Sequence, residues 1–197
     1  MVKQVLFCIL VALFTSTFFI SCDQEDEIYS PKPRGYFRIE LPKKEYTRYA
    51  NTTCPFAFDI PKYSSIEKDR YSKAEPCWLN IQFPKFKATI HLSYKKVENN
   101  ISTYLEDSRS FAIKHQIKAT GLNETVIIRD SSKVYGLLYD IEGNTASSLQ
   151  FYLTDSTHHF LRGALYFDAV PNSDSLKLII DFIRQDVIQL IKTTTWQ

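Results

Sequence analysis

Asp155-Ser156-Thr157-His158-His159-Phe160-Leu161-Arg162 brings a carboxylate, hydroxyls, two imidazoles and a guanidinium into one short stretch, the densest chemistry in the chain. A metal centre would need both imidazoles on one ion. Neighbouring side chains on a strand point to opposite faces, so His158 and His159 cannot readily share a coordination shell. The chain has 4 histidines, the others being His91 and His115, and it has neither a His-Glu-x-x-His nor a paired Cys-x-x-Cys motif, so no metal is expected. A hydrolase built from Ser156, His159 and Asp174 is conceivable, because such triads are set by geometry and not by order. No Gly-x-Ser-x-Gly elbow accompanies them, so no catalytic residue is assigned and the chain is not read as an enzyme. Ser156 suits a turn. Arg162 is the outward-facing candidate, with a planar fork that could pair with Asp155 across the sheet or with a partner's carboxylate.

Cys22 offers a different chemistry, covalent lipidation. Lys3 gives a positive start, Val5 to Ile20 is almost unbroken apolar sequence, and Phe19-Ile20-Ser21-Cys22 ends it as a bacterial lipoprotein signal ends. On this reading residues 1–21 are a leader, and acyl chains on Cys22 partition into a bilayer at about 0.8 kcal/mol per buried CH₂. No cofactor other than that lipid is expected. The folded part then lies outside the cytoplasm, facing the periplasm or on the outer-membrane surface. An uncleaved spanning helix would have to include Thr15, Ser16, Thr17 and Ser21 to reach the needed length, and an ordinary secretory leader is the other alternative. Asp23-Gln24-Glu25-Asp26-Glu27 resembles both surface-export tags and retention signals, so the leaflet stays open. Pro31 and Pro33 make residues 22–35 an extended tether, which leaves 36–197 as a single domain.

The 197 residues carry a net charge of +2, without a basic stripe, which argues against a nucleic-acid partner. Gly is scarce, at 5, against 12 Tyr and 14 Phe, a balance that favours strands. Of 4 cysteines, Cys8 falls in the leader and Cys22 takes lipid. Cys54 and Cys77 remain as an even pair in an oxidising compartment, either bridged or as two buried thiols.

The elements that would position these residues alternate in the manner of strands. Residues 36–41 set Phe37, Ile39 and Leu41 on one side, and 54–60 set Phe56, Phe58 and Ile60 on one side before Pro61. A polar loop runs to Ser72. Residues 77–83 and 86–94 form a hairpin about Pro84-Lys85, with His91 on its polar face. Asn100 can cap a helix that continues to Gly121. Strands over 126–129, 133–141 and 147–153 follow, and 158–167 returns beside the last of them. Ser173 or Asp174 can cap a final helix whose stripe is Leu176, Ile179, Ile180, Ile183, Val187, Leu190 and Ile191. The order predicts an α+β domain, a mostly antiparallel β-sheet with packed helices.

The leader, the stretch Tyr29 to Ile39, Trp78-Leu79-Asn80-Ile81, Thr154 to Phe167 and Pro171 to Leu176 together resemble the gliding-motility lipoprotein GldD family. The resemblance implies a membrane-anchored lipoprotein of gliding Bacteroidota, needed for surface movement and linked to type IX secretion. Its partners would be other envelope proteins of those systems, met through residues in the shared stretches such as Arg34, Tyr36, Asp155, His158, His159 and Arg162. The strand, the Pro-Asn loop and the amphipathic C-terminal helix are also similar to the Mog1/PsbP-like α-β-α sandwich. Two other functions stay open: a surface glycan-binding lipoprotein using aromatics such as Tyr152 and Trp196, and an envelope hydrolase.

Overall fold

The computed structural model describes residues 38–71, 73–114, 119–169 and 172–197. Cys22, Arg34, Tyr36 and His115 lie outside them, as do residues 1–35, where a leader and a tether are expected.

Seven strands form one antiparallel sheet: β3 (Ser65–Lys68), β4 (Leu79–Phe83), β5 (Ala88–Lys96), β6 (Ala119–Arg129), β7 (Val134–Gly143), β8 (Leu149–Thr154) and β9 (His159–Phe167). Their spatial order is β3-β4-β5-β9-β8-β7-β6. A three-stranded sheet of β1 (Tyr46–Ala50), β2 (Phe56–Pro61) and β10 (Thr195–Trp196) stands apart from it, in the order β1-β2-β10. Helix α1 is Ile101–Lys114 and helix α2 is Ser173–Thr193.

Alternation divides the large sheet into a dry face and a mixed one. Ile90, Leu92, Leu149, Phe151, Leu153, Leu161 and Leu165 turn to the dry face and are buried. Against them pack Phe182, Ile183, Val187, Leu190 and Ile191 of α2, with Phe56 and Phe58 of the small sheet. β2 is central in its sheet and buried on both sides, so its apolar residues run continuously through Phe56, Ala57 and Phe58. On the opposite face α1 seats only Ser108 and Ala112 deeply, Ala112 against Tyr139 and Ile141, while Phe111 and Ile113 stay exposed. One helix lies on each face, and the fold is α+β, as the pattern predicts.

Several expected elements differ. Residues 38–41 are not a strand. Pro42 follows Leu41 and restricts it to extended backbone, but the segment finds no sheet partner, and the chain enters pairing only at β1. The polar stretch before Ser72 holds the short edge strand β3, whose registered contacts with β4 override its weak pattern. Helix α1 ends by Lys114, and Gly121 lies inside β6, which pairs with β7 over most of its length. Asn172 caps α2 in place of Ser173 or Asp174, its side chain accepting from the Ser175 N–H. The Pro84-Lys85 turn is a short 3-10 turn closed by Lys87 in the left-handed region, so Phe86 belongs to the turn and β5 begins at Ala88.

Candidate functional site

Asp155 is held by the β8–β9 turn that it organises. Its Oδ1 accepts the backbone N–H groups of Thr157, His158 and His159 at 3.0, 2.8 and 2.8 Å, and its Oδ2 accepts the Thr157 hydroxyl at 3.1 Å. Burial pushes this carboxyl's pKa up, but the N–H donors of His159, His158 and Thr157 and the Thr157 hydroxyl outweigh it, leaving the group well below the usual carboxylate range. Ser156 takes the left-handed conformation at the turn, φ 71°. Asp155 therefore makes no pair with Arg162. Its capacity is used locally, which a turn-forming Asp four residues before His159 explains.

The two imidazoles part. His158 is exposed, with its Nδ1 2.9 Å from the Thr157 hydroxyl and 3.5 Å from Asp155 Oδ2. His159 bonds the Tyr94 hydroxyl at 2.9 Å and stacks on Trp196, ring centres 5.1 Å apart. Burial lowers its pKa, Asp155 opposes that and His158 adds to it. Ser156 and Asp174 make no hydrogen bond to His159, so the residues named for a triad are not brought together. Among the described residues there is no group of three or more His, Cys, Asp or Glu that could hold a metal.

Arg162 is not outward-facing. On β9 it shares the mixed face with Phe160, and α1 covers it: the guanidinium lies 4.8 Å from the centre of the Phe111 ring. Its Nη2 donates to Gln150 Oε1 at 2.6 Å, and no carboxylate among the described residues pairs with it. Desolvation pulls its pKa down and Tyr166 opposes the shift. Arg162 forms part of a cleft of about 400 Å³ between α1 and the sheet, with Trp78, Tyr104, Phe111 and Phe160 among its walls. The aromatics suggested for sugar binding are already engaged. Tyr152 stacks on Phe160, and Trp196 stacks on His159 while donating its indole N–H to the Lys133 carbonyl.

A second polar cluster had no recognisable spacing in the sequence. Asp186 on α2, 2 % exposed, accepts from Lys44 at 2.7 Å, from the Tyr46 hydroxyl at 2.9 Å and from the Tyr63 hydroxyl. Lys44 also donates to the Phe182 carbonyl and sits over the Phe182 ring. Burial lowers the Lys44 pKa against the pull of Asp186, and burial followed by Asp186 raises both tyrosines far above their ordinary value. The residues come from positions more than a hundred apart, so only an Asp on the apolar stripe of α2 could have pointed to them. Cys54 and Cys77 are joined by a disulfide that links the loop before β2 to the loop before β4.

This arrangement defines an α+β domain. In backbone it is similar to the solution structure of cyanobacterial PsbP from Synechocystis sp. PCC 6803, at 11 % identity and a TM-score of 0.47, covering 85 % of this chain and 100 % of that one. Residues 26–196 match the model of the family described as gliding motility lipoprotein GldD, and the chain belongs to that family. No curated protein matches it. Family membership makes it an envelope-associated lipoprotein of gliding motility. Among the described residues no helix is long and apolar enough to cross a membrane.

Proposed function

We propose that the chain is a non-enzymatic accessory of the gliding apparatus, lipid-anchored at Cys22, whose folded domain binds other envelope proteins and supports type IX secretion. The observation that carries this reading is the family match over residues 26–196. Its chemistry agrees: Asp155, His158 and His159 serve a turn and a ring stack instead of converging on a reaction centre. The lipid supplies the membrane contact and residues 22–35 set the reach of the domain. In gliding Bacteroidota, the decisive comparison is the culture-medium protein profile of a clean deletion strain beside wild type. Loss of cargo bearing type IX sorting domains is expected, together with loss of gliding. Normal cargo secretion would restrict the role to movement. Cys22→Ser at native expression is expected to abolish gliding while the domain stays folded, and normal gliding by that strain would remove the anchor from the account.

A further inference from the structure

We propose that the cleft beneath α1 binds a small molecule bearing a single carboxylate on an apolar or aromatic body. The inference is independent of the anchoring role. Its first support is a set of polar groups without acceptors. More than nine-tenths of buried polar groups find a partner. Ser108, 3 % exposed and part of the cleft wall, has a hydroxyl with none; Gln150, 2 % exposed, also has an Nε2 with none but does not line the cleft. Arg162 lines the cleft as well: one arm of its fork is fixed by Gln150, its face is backed by Phe111, and its remaining donors meet no carboxylate among the described residues. A guanidinium positioned in this way matches the two oxygens of a carboxylate, with the Ser108 hydroxyl as a further donor. Gln150 is then a positioning residue and Arg162 a binding one.

The second support is shape and composition. Trp78, Tyr104, Phe111 and Phe160 supply apolar and aromatic surface around that donor set, and about 400 Å³ is the size of small-molecule sites. The third is charge. Asp69 and Asp107 also border the cleft, and the one lysine there, Lys95, is already paired with Glu75. Arg162 is then the one cation of the cleft without an acidic partner among the described residues, and the two carboxylates beside it disfavour phosphate esters or other polyanions.

The full chain, purified in nonionic detergent, is titrated with 3-phenylpropionate, with the neutral isostere 3-phenyl-1-propanol and with inorganic phosphate, followed by calorimetry and by the fluorescence of Trp78 in a Trp196→Phe background. Saturable one-to-one binding of 3-phenylpropionate is expected, at least tenfold tighter than the alcohol, with phosphate failing to compete. Arg162→Met should weaken the carboxylate tenfold or more and leave the alcohol nearly unchanged. Ser108→Ala should weaken the carboxylate several-fold while raising the thermal midpoint of the ligand-free protein, because it removes a buried hydroxyl that has no partner. If Arg162→Met does not fold, the wild-type carboxylate-to-alcohol ratio and Ser108→Ala decide. Equal affinity for acid and alcohol, competition by phosphate, absence of saturable binding, or unchanged affinity in Ser108→Ala overturns the proposal.

Discussion

His159 and Trp196 stack with their ring planes 12° apart, which ties β9 of the large sheet to the last strand of the small one. Burial keeps the folded pKa of His159 below its unfolded value, so the unfolded chain binds more protons just below the ordinary histidine pKa of about 6.5. Stability should therefore rise with pH through that region and fall on acidification. His91, lowered by burial against the pull of Asp69, acts in the same direction. Asp155 adds a loss at lower pH. Its depressed folded pKa gives stability that is present above about 3.9 and disappears as pH falls further. Urea midpoints between pH 7 and pH 5 test the first part. His159→Phe keeps an aromatic partner for Trp196 and should flatten the slope, and an unaltered slope would assign it to other groups.

Two glycines should differ in what they tolerate. A Cβ at Gly163 would stand 2.3 Å from the Phe151 ring, whereas one at Gly136 would stand 1.9 Å from the Tyr152 carbonyl oxygen. Overpacking a core usually costs about 1–3 kcal/mol. Gly163→Ala falls in that range because a ring can tilt. Gly136→Ala should cost more, since the β7–β8 backbone must separate, and thermal unfolding of the two variants will rank them.

The Cys54–Cys77 bridge spans 23 positions and joins loops that lead into different sheets. Closing a loop of that size contributes roughly 3 kcal/mol on the chain-entropy estimate. The double variant Cys54→Ala/Cys77→Ala should lose about that amount in urea unfolding. Dithiothreitol should lower the wild-type midpoint toward the double variant's and leave the variant unmoved.

Asp186→Ala leaves Lys44 without its carboxylate and two tyrosine hydroxyls without an acceptor. Breaking a buried pair in this way costs about 3–5 kcal/mol. Lys44→Met should cost less, because Tyr46 and Tyr63 still donate to the carboxylate and the lysine side chain is 23 % exposed. Denaturant unfolding of both single variants and the double variant gives the coupling between them. A coupling near zero would mean that the pair contributes nothing beyond its separate contacts.

The sequence made the hairpin of β4 and β5, strands β8 and β9, and helix α2 readable, because their buried residues keep a strict period. Leu79, Ile81 and Phe83, then Ile183, Val187, Leu190 and Ile191, are as deeply buried as their spacing implies. Elements whose pairing is decided by distant partners were not readable. β1 alternates poorly and is held by its register with β2, and β10 is two residues long and exists because α2 delivers it to β2. The candidate site shows the same division. The turn role of Asp155 is local and legible, while the seating of Arg162 under Phe111 depends on a helix some fifty positions earlier. Nothing in the spacing of Lys44, Tyr63 and Asp186 announces that they meet.

The Lys44–Asp186 pair also sets how the domain bears load. A pull on the chain ahead of Arg38 reaches Lys44 before it reaches any strand, and Lys44 is fastened to the middle of α2, not to the edge of a sheet. Tension is therefore passed into the helix that fills the core, and β1 is spared from being peeled off β2 one hydrogen bond at a time. A domain braced in this way resists unzipping from its first strand.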